Sequence, residues 1–209
     1  MRPFYAEGSK TLGYEAVEQL GWRIPRHAIV PAASGSMFTK IWQGYNEMAD
    51  LGLAEGPVHA SMHLMQAEGC DPIVDAFESE ESVIRPIKPN TVAKSLAIGN
   101  PSDGIYALRV LRNSGGTACA IPEPDVLEGM KLLAQTEGIF TETAGGVTVS
   151  GLKQLAQRGI IKRDDLTVAY ITGNGLKTQE VAESVVDPLT IAPNFRAFEE
   201  ALNGSNGHS

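Results

Sequence analysis

At 209 residues, 43% apolar and 20% charged, the chain can bury one large core, and the whole cannot be disordered. No run approaches the ~18 apolar residues of a membrane span, and the first residues lack a basic-then-apolar leader pattern. A formal net charge of −8 excludes a partner read through a nucleic-acid backbone, although a local site can oppose the global sign and hold a small anion.

Apolar residues at Leu12, Tyr14, Ala16, Val17 and Leu20 predict a helix that stops near Gly21. His27–Val30 is a short β-branched run, the pattern of a buried strand. Small residues follow at Ser34-Gly35-Ser36, then Met37, Ile41, Tyr45 and Met48 repeat at helical spacing. The rhythm continues with a strand at Met62–Met65 and a helix after Cys70-Asp71-Pro72. A further helix has Pro101 at its first position, followed by Ile105, Leu108, Val110 and Leu111. Thr117–Ile121 reads as a strand, and Val126–Leu133 as a helix closed by Gly138. Val147–Leu155 reads as a helix and Thr167–Ile171 as a strand. Strands alternating with helices imply an α/β fold: a mostly parallel sheet with helices on both faces. Residues 1–187 form the domain and 188–209 an extension, whose end at Asn203–Gly207 is expected to lack regular structure.

Ligands in such sheets collect where strands end. Two turns there carry chemistry. At Ala33, Ser34, Gly35, Ser36 and Met37, small residues let backbone N–H groups approach an anion, and the following helix directs its positive end at it. A phosphate suits this turn, but a plain strand–helix connection needs small residues too. The second turn, Thr172-Gly173-Asn174-Gly175, places a hydroxyl at a strand's end beside two glycines; a tight loop with Thr172 bonded locally is the competing reading.

Four ordered blocks make these turns specific. Arg2–Glu15 (RPFYAEGSKTLGYE), Lys88–Pro101 (KPNTVAKSLAIGNP), Glu137–Gly146 (EGIFTETAGG) and Thr172–Lys177 (TGNGLK) resemble the corresponding segments of threonine synthases, members of the fold type II pyridoxal-phosphate enzymes. The resemblance runs to about residue 185. It implies that the chain is half of that family's large domain, the carboxyl-terminal portion of a longer enzyme that converts O-phosphohomoserine and water to threonine and phosphate. Pyridoxal 5'-phosphate would be its electron sink. The resemblance further implies that Ala33, Ser34, Gly35, Ser36 and Met37 hold the cofactor phosphate and that Thr172 faces the ring nitrogen. Substrate contacts would come from Ser34 and Arg2. A cytoplasmic homodimer is the expected state of the intact enzyme. The family attaches its cofactor to a lysine in an early F-K-D/S-x-K-x-R type segment, and none of the eight lysines stands in such a context. No catalytic residue is therefore expected in this chain. The alternatives are another lyase of the same fold type, such as a threonine dehydratase, and a non-catalytic module that binds a phosphate ligand.

Other candidates are weaker. His59 and His63 have i, i+4 spacing, but a strand at Met62–Met65 would spread them apart, and no metal is expected. Cys70 and Cys119 form no CxxC pair and read as small buried hydrophobes in a reducing compartment. Asp164-Asp165 and Glu78–Glu81 read as solvated charge runs. Glu142 reads either as a carboxylate favoured by a helix amino end or as a site residue.

Overall fold

The computed structural model describes residues 3–56, 58–182 and 189–205. In chain order the elements are α1 (Pro3–Gly8), α2 (Thr11–Gln19), β1 (His27–Pro31), α3 (Ser36–Asp50), β2 (Ser61–Ala67) and α4 (Pro72–Glu78). Then come α5 (Gly104–Ser114), β3 (Ala118–Ile121), α6 (Glu123–Glu137), α7 (Thr143–Gln157), β4 (Thr167–Ala169), α8 (Gln179–Ala182) and α9 (Phe195–Ser205). The sheet runs β3-β2-β1-β4 with every neighbouring pair parallel.

β1 lies inside the sheet and is buried along its whole length, as a strand covered on both faces must be. Alternate residues feed two cores. Ala28, Val30, Met62 and Leu64 pack with Phe38, Ile41 and Tyr45 of α3 and Leu108 and Leu111 of α5. Ile29, Met65, Cys119 and Ile121 face the other way, against Val126 of α6 and Val147 and Leu155 of α7. Each of the Val, Leu, Ile, Phe and Met side chains among them contributes roughly 1.5–3 kcal/mol by leaving water. Both cysteines are free and buried.

Gln66, fully buried, ties the layers near the strand ends. Its Oε1 accepts from the Ile73 and Val74 N–H groups at 2.9 and 3.2 Å, capping α4, and its Nε2 donates to Ala32 O at 3.4 Å. Lys10 anchors the amino-terminal helices through Glu47 of α3 at 2.7 Å and Glu7 at 2.6 Å; these carboxylates hold its ammonium above the ordinary lysine range.

Three expectations change. α5 starts at Gly104, not at Pro101: the Asp103 N–H is drawn to Ser34 O at 2.9 Å, so Pro101 lies in the loop ahead of the helix. α7 begins at Thr143, ahead of Gly145, which packs on Thr141, and Gly146, whose lack of a side chain lets α6 approach. Asn203–Ser205, expected to lack structure, close the amphipathic α9. The expected boundary at 187/188 lies outside the described residues, as do residues 206–209.

Candidate functional site

Because all strands are parallel, the segments after β1 and β4 emerge at the same edge. There they share one cavity of about 150 Å³, lined by Ala33, Ser34, Gly35, Met37, Glu142 and Thr172, with Leu96 and Ala144 as apolar walls. Gly35 makes the first side possible. Its φ of 87° is in the left-handed region open to glycine, and a Cβ there would stand 3.1 Å from both Asp103 O and Ala107 Cβ. The turn feeds the amino end of α3, a 15-residue helix. Among the described residues, the N–H groups of Ser34, Gly35 and Met37 have no acceptor within the chain. Ser36 differs: its N–H points to Ser34 Oγ at 3.4 Å, and its side chain lines a neighbouring cavity with Thr39 and Lys40. Free donors at a helix's positive end are what an anion such as a phosphate needs, and these residues could hold one.

The opposite wall is built by a short antiparallel bridge between Thr141 and Asn174. Gly173 O accepts from the Glu142 N–H and the Thr141 hydroxyl, both at 3.1 Å, and the Gly175 N–H donates to Phe140 O at 3.0 Å. These bonds fix the turn carrying Thr172, whose hydroxyl has no partner among the described residues. Glu142, only 4% exposed, is the residue just before the first turn of α7; its carboxylate packs on Gly173 and lies 3.8 Å from the exposed Lys177 ammonium. Behind β4, burial pushes the Tyr170 phenol up to about 12, and its hydroxyl meets that of Tyr45 at 2.7 Å. This buried pair stays neutral and holds the strand that leads to Thr172.

Ala33, Ser34, Gly35, Met37 and Thr172 are thus brought together, with Ser36 beside them on the far side of the turn. Arg2 lies outside the described residues. Leu96, from the 3₁₀ turn Lys94–Leu96, was not singled out by sequence. His59 is exposed in a loop while His63 is buried in β2. No group of three or more metal-ligating side chains occurs among the described residues.

An α/β sheet with a phosphate-sized turn and an apolar-walled crevice at its carboxyl edge defines a class of phosphate-bearing cofactor sites. Within that class, residues 1–173 match the model of the pyridoxal-phosphate dependent enzymes, and the chain belongs to that family. It is 39% identical over 204 residues to a threonine synthase of Methanocaldococcus jannaschii, covering 97% of this chain and 50% of that protein. A threonine synthase of Methanosarcina acetivorans is 36% identical over 206 residues, 98% of this chain and 50% of the relative. The chain therefore spans about half the length of these relatives. Among solved structures, a fungal L-serine ammonia-lyase from Rhizomucor miehei superposes with a TM-score of 0.66 at 19% identity, over 87% of this chain and 56% of that one. The processed form of threonine deaminase isoform 2 from Solanum lycopersicum gives 0.64 at 14%, over 85% and 49%. At these identities the likeness is one of fold.

Proposed function

We propose that this chain supplies the phosphate and ring-nitrogen side of a threonine synthase site that acts on O-phosphohomoserine and releases L-threonine and phosphate. The observation that carries the reading is the single crevice joining the Ser34–Met37 turn to Thr172, set beside relatives that bear that name. When bound, pyridoxal phosphate supplies an electron sink for protons leaving the substrate's carbons.

The chain's own residues act around it. The N–H groups of Ser34, Gly35 and Met37, with the positive end of α3, hold the phosphate. The Thr172 hydroxyl, which lines the crevice, would offer the ring nitrogen a neutral hydrogen-bond partner in place of a carboxylate. Leu96 and Ala144 wall the crevice against water, and the Glu142 side chain lines it together with Thr172. Ser34 and Arg2 are assigned to the substrate. None of the eight lysines stands in the family's cofactor-attaching context, so the reading assigns that lysine to a separate amino-terminal half. The working enzyme is read as a cytoplasmic homodimer. A threonine dehydratase is less well supported, because the ammonia-lyase and deaminase structures share only the fold.

The test is phosphate release from O-phosphohomoserine with added cofactor. The chain alone should release none above background. Adding the amino-terminal half of the Methanocaldococcus jannaschii relative should restore release. Turnover by the chain alone, abolished by replacing one of its own lysines, would overturn the reading.

A further inference from the structure

A second buried polar cluster lies at the opposite edge of the sheet, where the strands begin. His27 of β1 and His63 of β2 are 5% and 1% exposed; their rings stack with centroids 5.2 Å apart, and His27 Nδ1 is 3.0 Å from His63 Nε2. The Thr117 N–H, just ahead of β3, donates to His63 Nδ1 at 3.2 Å. Ahead of β4, Asp165 Oδ2 lies 3.3 Å from His27 Nε2, off the axis of a well-aligned hydrogen bond. Asp165 also pairs with Arg26 Nε at 3.1 Å and accepts from the Lys162 N–H at 2.8 Å.

The tautomers follow link by link. A backbone N–H can only donate, so His63 Nδ1 is bare and the His63 proton sits on Nε2. That proton is given to His27 Nδ1, which puts the His27 proton on Nε2, facing Asp165. No further proton fits. On His63 Nδ1 it would meet the Thr117 N–H, and on His27 Nδ1 it would meet the His63 proton.

We propose that Thr117, His63, His27 and Asp165 form an acid-released clasp across the amino ends of all four strands, closed while both imidazoles are neutral and opened when the pair takes up a proton. Burial first, and the neighbouring His27 second, push His63 down to about 4. His27 is also lowered, by burial chiefly and by Arg26, against the opposing pull of Asp165. Arg158, at the end of α7 on the same side of the sheet, is turned to Cys119 Sγ at 3.7 Å. Both folded values lie below the free one, so the unfolded chain binds more protons in between. The clasp's contribution is complete above about pH 6.5 and is lost as pH falls toward about 4.

Long-range proton–nitrogen spectra of the imidazoles in the unaltered chain, taken from pH 8 to pH 4.5, test this directly. Both rings should be Nε2–H tautomers and still neutral at pH 6. In parallel, the folding constant should fall below pH 6.5 by up to about tenfold per pH unit for each imidazole. His63→Gln, whose amide can accept from Thr117, should stay folded at pH 8 and lose at least one such tenfold-per-unit dependence. An Nδ1–H tautomer on His63, either ring titrating near 6.5, or an unchanged pH slope in His63→Gln would overturn the clasp. A loss of stability equal at every pH would reduce the cluster to packing and overturn it too. Should His63→Gln fail to fold, the spectra of the unaltered chain decide.

Discussion

A methyl group added at Gly173 would lie 1.9 Å from Glu142 Oε1, so the turn that offers Thr172 can approach this carboxylate only as glycine. Gly173→Ala must displace a buried side chain, and roughly 1–3 kcal/mol of destabilisation is expected from overpacking in a urea titration. Thr172→Val is a different case, because the hydroxyl is exposed and makes no internal bond. Its unfolding midpoint should stay at the wild-type value while cofactor affinity falls up to about tenfold, the worth of one hydrogen bond. Fluorescence titration with pyridoxal phosphate reads the affinity, and an unchanged affinity would remove Thr172 from the site. Both turns were legible in sequence because each follows a β-branched run and is made of small residues. The His27–His63 pair was not: each residue sits in a strand pattern, but their meeting depends on the parallel register that sets Ile29 opposite His63.

Helix α7 shows where local propensity misleads. The sequence pattern reads a helix from Val147, yet the helix begins at Thr143 and takes in two consecutive glycines, each costing about 1 kcal/mol in a helix interior. The compensation is tertiary. A Cβ on Gly146 would stand 2.3 Å from Val126 O of α6, and one on Gly129 would stand 2.3 Å from Gly146 O. The two helices meet backbone to backbone, and residues from Thr143 to Gly151 are buried without a break. Gly146→Ala should therefore lower stability by about 2 kcal/mol or more, despite raising helix propensity, because a backbone atom cannot step aside. Greater stability in a denaturant titration would contradict this packing. The misplaced start of α5 has the same origin. Pro101 is a good first helical residue by local rules, but the bond from the Asp103 N–H to Ser34 O ties that loop to the phosphate turn, a contact no local pattern encodes.

For the whole molecule, alternation of strand and helix was enough to read a parallel sheet covered on both faces. The order β3-β2-β1-β4 was not readable, because it depends on which helices cross to which face. Large apolar side chains remain outside: Phe4 is 91% exposed, Phe195 73% and Leu176 71%. Phe195, Phe198 and Leu202 form a stripe along α9. Such surface favours association. Sedimentation of the chain alone should show concentration-dependent self-association, and a monodisperse monomer across micromolar concentrations would contradict that expectation.

The central claim is that one ligand bridges the turn after β1 and the turn after β4. A residue-resolved amide titration with pyridoxal phosphate tests it most directly. Ser34, Gly35, Met37 and Thr172 should shift together and saturate with a single constant, whereas inorganic phosphate should shift the first three and leave Thr172 in place. Saturation of the Ser34–Met37 amides by pyridoxal phosphate with no response at Thr172 would contradict the account.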